Sequence, residues 1–86
     1  MQLILEQSFL KSAQRLPQNI KEKLGERLGL LEANPYHPLL HTKKLSGDLA
    51  GFFSFRITRE WRVIFYFEDP ETIRVLEADH RKDIYR

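Results

Sequence analysis

Cysteine is absent from these 86 residues, which excludes disulfides, thiolate catalysis and cysteine-ligated zinc. No apolar run is long enough to cross a bilayer, and no basic-then-apolar leader opens the chain, so a cytoplasmic protein away from membranes is expected. Internal repeats and low-complexity tracts are also missing. Neither sign of charge dominates: 14 Lys and Arg face 12 Asp and Glu, a net +2 that by itself argues little for a nucleic-acid partner. What remains, 42% hydrophobic and 30% charged, is the ordinary balance of one soluble globular domain over residues 1–86.

Residues 2–6 are a short apolar opening suited to an edge strand. Ser8 is placed as a helix N-cap, with Phe9, Ala13 and Leu16 following at helical spacing. Pro17 suits the first turn of a second helix or the link before it, and Ile20, Leu24, Leu28 and Leu31 continue as one apolar stripe. Gly25 and Gly29 weaken that helix and would allow close approach to the first, and Asn34-Pro35 ends it. Residues 35–51 read as a long connection punctuated by Pro35, Pro38, Gly47 and Gly51. His37 and His41 lie four apart inside it, but the prolines argue against the helix a metal pair at that spacing needs, so no metal is expected.

Charge distribution is more telling than net charge. Lys43, Lys44, Arg56, Arg59, Arg62, Arg74, Arg81, Lys82 and Arg86 all lie in the second half, while Glu68, Asp69 and Glu71 crowd one turn. Residues 52–57 and 61–67 are β-branched and aromatic runs, and a third strand runs from Thr72 to about Asp79. With Arg59 mid-turn, Arg56 lies opposite Arg62 and Phe55 opposite Val63. Facing like charges destabilise a sheet unless something offsets them, and a bound RNA phosphate would do so; pairing with Glu60 or Glu77 would too. The odd-numbered face carries Phe53, Phe55, Ile57, Trp61, Val63, Phe65 and Phe67, enough to cover two helices. A last hairpin centred on Pro70 pairs Arg62 with Ala78 and brings His80 to the arginine face, whereas a one-residue slip would turn His80 to the helix side. The expected fold is α+β, β-α-α-β-β-β, a helical hairpin packed on one face of a small, mainly antiparallel sheet.

Leu45-Ser46-Gly47-Asp48-Leu49-Ala50-Gly51, Phe55-Arg56-Ile57, Trp61-Arg62-Val63-Ile64-Phe65 and the closing His80-Arg81-Lys82-Asp83-Ile84-Tyr85, in this order behind a helical hairpin, resemble the RelE/ParE superfamily of toxins. The resemblance covers essentially the whole chain. It implies one of two activities: RelE-like members cut messenger RNA in the ribosomal A site, and ParE-like members poison DNA gyrase without nuclease chemistry. Both branches are neutralised by a cognate antitoxin protein. By motif position, Arg56, Arg62, Arg81 and Tyr85 resemble the catalytic residues of RelE-like toxins, and His80 resembles a histidine that serves as acid or base in other ribosome-dependent relatives. RelE itself carries a further lysine where this chain has Ser54, and its spacing from terminal arginine to tyrosine is longer.

Metal-free RNA cleavage needs a base for the 2′-hydroxyl, cations for the phosphorane charge and an acid for the 5′-oxygen. Arg56, Arg62 and Arg81 would supply the cations, and His80 the proton carrier, since an unperturbed imidazole titrates near neutrality. Tyr85 would stack on a base or orient the hydroxyl. Lys43, Lys44, Arg59 and Lys82 are expected on RNA backbone. For each residue a structural role stays open: ion pairs for the arginines, an ordinary strand-end position for His80, a core cap for Tyr85. The expectation is therefore a ribosome-dependent messenger RNA endonuclease acting without cofactor or metal, with ribosome, message and antitoxin as partners. The rivals are a gyrase inhibitor and a degenerate toxin that only binds its antitoxin.

Overall fold

A computed structural model describes residues 1–85, and Arg86 of the closing motif lies outside them. The chain runs β1 (Gln2–Leu5), α1 (Gln7–Gln14), α2 (Gln18–Ala33), β2 (Lys43–Lys44), β3 (Phe53–Arg56), β4 (Trp61–Asp69) and β5 (Thr72–His80). The sheet order is β1-β5-β4-β3-β2, with β1 parallel to β5 and every other pair antiparallel. The β-α-α-β-β-β expectation is met, with one addition. Residues 35–51 are not featureless: two 3₁₀ turns, Pro38–Leu40 and Gly47–Leu49, flank the two-residue strand β2. A pair of lysines at a sheet edge has no strand signal of its own.

One core lies between the helices and one face of the sheet. Phe9, Leu16, Ile20, Leu24 and Leu31 from the helical half meet Phe55, Val63, Phe65, Ile73, Val75 and Ala78 from the strands. Helical spacing of 3.6 residues and strand alternation of 2 bring these side chains to a common layer. Trp61 packs against the edge of this core. Two helix details differ from expectation. Glu6, not Ser8, stands at the N-cap of α1, and the Ser8 hydroxyl instead donates to the Leu76 carbonyl at 2.7 Å. Gly25 and Gly29 face open space rather than helix α1, because the apolar stripe of α2 lies on its other side.

The β4–β5 register decides which side chains share the arginine face. Past an irregularity at the turn, where Asp69 faces Thr72, it follows a hairpin centred on Pro70: Phe65 faces Val75, Tyr66 faces Arg74 and Phe67 faces Ile73. A bulge at Leu76 then shifts the pairing, so that Ile64 faces Glu77, Val63 faces Ala78, Arg62 faces Asp79 and Trp61 faces His80. The expected Arg62–Ala78 pair and the placement of His80 on the arginine face are thus overturned. The cause is hydrophobic: uninterrupted alternation would bury Glu77 opposite Val63, whereas the extra residue puts Ala78 there, 2% exposed.

Helix α1 stabilises this irregularity. Strand β1 covers the outer edge of β5 only as far as the Leu5–Val75 pair. Beyond it, Ser8 takes the Leu76 carbonyl and the Ser12 hydroxyl accepts the Ala78 amide at 2.9 Å. Two serines one helical turn apart therefore continue the edge hydrogen bonding where the strand stops.

Candidate functional site

The face of the sheet turned away from the helices carries Ser54 and Arg56 of β3, Arg62 and Ile64 of β4, and Glu77 and Asp79 of β5. Arg56 faces Arg62 as expected. Among the described residues the Arg56 side chain makes no hydrogen bond or ion pair. Arg62 curls back to the β3–β4 turn, where its Nε and Nη2 donate to the Arg59 carbonyl at 3.3 and 3.1 Å. Neither arginine pairs with Glu60 or Glu77, so the acidic compensation left open by the sequence is not used.

Glu60 is engaged elsewhere. Its carboxylate lies 3.4 Å from His80 Nε2 and 3.2 Å from Arg81 Nε, and its carbonyl accepts the Arg81 amide at 2.8 Å. His80 Nδ1 accepts the Lys82 amide at 3.2 Å, which leaves the ring proton on Nε2, towards Glu60. The imidazole stands edge-on to Trp61, with ring centroids 5.2 Å apart. His80 and Arg81 therefore share one carboxylate at the rim of the sheet, and the imidazole lies on the helix side of the arginine row.

Residues 81–85 turn back across the open face. Tyr85 donates its hydroxyl to Ser54 Oγ at 3.1 Å, and Ser54 is only 2% exposed. Ile84 and Ile64 are both buried, yet neither belongs to the helix-side core. Tyr85 also borders a cavity of about 250 Å³ with Lys43, Lys44, Leu45, Ser46 and Leu49. Lys43 stands opposite Ser54 in register, which brings it to the same face as Tyr85. Strand β2, missed in the sequence, thus carries two lysines to the site.

The remaining predicted contacts are peripheral. Arg59 and Lys82 are exposed, the first in the β3–β4 turn and the second beyond β5. Arg74 sits on the open face but is saturated: Glu68 and then Glu6 bond its guanidinium at 2.6 and 2.7 Å and hold its pKa above the ordinary value. His37 accepts the Leu39 amide and caps a 3₁₀ turn, while His41 takes a left-handed backbone at φ 48°. No group of three or more His, Asp or Glu side chains converges as a metal site among the described residues. Nor is any described helix long and apolar enough to cross a membrane. Asp79 is the site residue that sequence reasoning missed. Its signal was the break in alternation after Val75, where Leu76 and Glu77 both precede the next inward residue, Ala78.

A YoeB/ParE toxin from Agrobacterium tumefaciens is 25% identical, with a TM-score of 0.78 over 94% of this chain and 99% of that one. The RelBE2 toxin–antitoxin complex from Mycobacterium tuberculosis contains a chain 27% identical, with a TM-score of 0.77 over 93% of this chain and 96% of that one. YafQ from Escherichia coli shares the fold at 16% identity, with a TM-score of 0.81 over 98% and 97% of the two chains. A search among curated proteins returned no match. The family model of the ParE toxin of the type II toxin–antitoxin system parDE matches residues 3–85. The chain accordingly belongs to this family, as a toxin of the RelE/ParE superfamily of type II toxin–antitoxin systems.

Proposed function

We propose that this toxin is a ribosome-dependent messenger RNA endonuclease, which cleaves by metal-free transesterification to a 2′,3′-cyclic phosphate and a 5′-hydroxyl. The observation that carries this reading is the Arg56–Arg62 pair: two arginines directly opposite one another in register, which among the described residues have no acidic partner, Arg56 making no side-chain bond and Arg62 bonding only the Arg59 carbonyl. Such a pair is destabilising in the free protein and matches the oxygens of a phosphodiester. Arg81 at the rim would reach the same phosphate once drawn from Glu60, and His80, on the helix side of the row in the free toxin, would have to leave Glu60 with it to deliver a proton to the 5′-oxygen. Tyr85, Lys43 and Lys44 would hold the neighbouring nucleotide, the ring by stacking and the lysines by backbone contact. Arg59 and Lys82 would add contacts to ribosomal or messenger backbone. A cognate antitoxin would neutralise the toxin, and the cytoplasm would be its site of action.

The second reading is a gyrase inhibitor without chemistry, favoured by the match to a ParE family model. Primer extension on a translated message, with ribosomes present and absent, separates the two. Cuts within codons that need ribosomes support the nuclease. An intact message with arrested DNA supercoiling moves the protein to the gyrase branch. Arg62→Ala and His80→Ala are expected to relieve toxicity while leaving antitoxin binding intact, and toxicity that survives both changes defeats the catalytic reading.

A further inference from the structure

Three charged side chains stand in one row on the open face: Arg56 of β3, Arg62 of β4 and Asp79 of β5, each directly opposite the next. Neighbouring strands lie about 4.8 Å apart, so the row spans about 10 Å, the scale of one ribose with its phosphate. Asp79 holds this place through the Leu76 bulge, which simultaneously turns His80 to the other face. The row therefore lacks the imidazole expected there and has a carboxylate instead.

The state of that carboxylate is informative. Asp79 is half-buried, and its Oδ1 accepts the His80 amide at 2.7 Å, which fixes its orientation. Arg62 does not neutralise it, being bonded to the Arg59 carbonyl. Glu60 is occupied by His80 and Arg81, and Glu77 lies further along the strand, exposed and opposite Ile64. Arg15, at the C-cap of α1, borders the same sheet-edge cleft as Asp79 without an ion pair to it. Asp79 is thus the acidic group in line with both phosphate-binding arginines.

We infer that Asp79 is the general base of the cleavage reaction. The assignment rests on the nuclease reading above. The carboxylate takes the 2′-hydroxyl proton, and the 2′-oxygen forms a bond to phosphorus. Arg56 and Arg62 carry the charge of the phosphorane. The P–O5′ bond then breaks, its electron pair stays on the 5′-oxygen, and that oxygen takes a proton from the rim. Asp79 afterwards returns its proton to solvent and the rim donor regains one from solvent, so the protein is unchanged by the turnover.

The test uses the purified toxin and ribosomes programmed with a message whose cut position carries either ribose or 2′-deoxyribose. Asp79→Asn keeps the shape and removes the basicity. Its single-turnover rate at saturating ribosomes is expected to fall at least about 100-fold. Its affinity for ribosomes carrying the 2′-deoxy message should stay within about threefold of wild type, since that complex binds without proton transfer. Asp79→Glu should recover at least about tenfold over the Asn variant, which a misfolded or merely structural site would not do. An Asn variant cutting within about threefold of wild type overturns the assignment, as does one that loses affinity as much as rate. A wild-type toxin that leaves the ribose message intact removes the nuclease reading and this assignment together, and does so in the control lane before any variant is compared.

Discussion

Ser12 accepts the backbone amide of Ala78 at 2.9 Å across the α1–β5 contact, and Ala78 is buried. The bond fixes the strand immediately after its bulge, two residues before the end of β5. Ser12→Ala would leave that amide without a partner. The expected loss is about 1–3 kcal/mol, a fall in Tm of about 5–15 °C for a domain of this size. Thermal or urea unfolding of the variant measures it. Ser8→Ala, at an exposed bond, should cost about 1 kcal/mol or less.

The Tyr85–Ser54 bond is asymmetric, because Ser54 is buried and Tyr85 is 38% exposed. Tyr85→Phe strands a buried hydroxyl and is expected to cost about 1 kcal/mol. Ser54→Ala removes the buried group and lets the phenol turn to water, so it should be close to neutral. Paired unfolding measurements would show the difference, and equal costs would contradict the described geometry.

Ile84 reports whether the last residues dock on the open face. At 4% exposure outside the main core, Ile84→Ala is expected to cost about 2 kcal/mol or more. Amide exchange at Arg81, whose N–H bonds the Glu60 carbonyl, should quicken in the same variant. A variant with wild-type stability and unchanged exchange would mean that the segment is not anchored there.

Lys43 and Lys44 make no ion pair among the described residues and border the Tyr85 cavity. If they contact nucleic-acid backbone, replacing both by Gln should weaken ribosome binding and make it less sensitive to salt, lowering the slope of log affinity against log salt by about 1–2. Stability should change by less than about 0.5 kcal/mol, as both are exposed.

The core and the arginine pair were legible because they follow from periodicity alone. Phe55 facing Val63 and Arg56 facing Arg62 needed only a turn centre and strand alternation. The end of β5 was not legible in the same way. Hairpin counting from Pro70 holds from Ile73 to Val75, then loses one residue at Leu76, and every side chain beyond changes face. Burial of Ala78 in preference to Glu77 decided the matter, and that preference is written in composition, not in spacing. Strand β2 was hidden for another reason. Its two residues gain their conformation from the β3 edge, not from any propensity of lysine. Ser8 was misplaced because a serine near a helix start can serve its own helix or a neighbouring strand, and only tertiary structure tells which.

The pairing of β1 with β5 joins Gln2 to Thr72, the first strand to the last. A growing polypeptide cannot close that pair until it has been made through Thr72, and the bulge, Asp79 and Tyr85 come later still. The sheet therefore stays open until strand β5 has been made. Until then the open face that Arg62 and Asp79 share does not exist, so a nascent toxin presents its helical hairpin well before its candidate site.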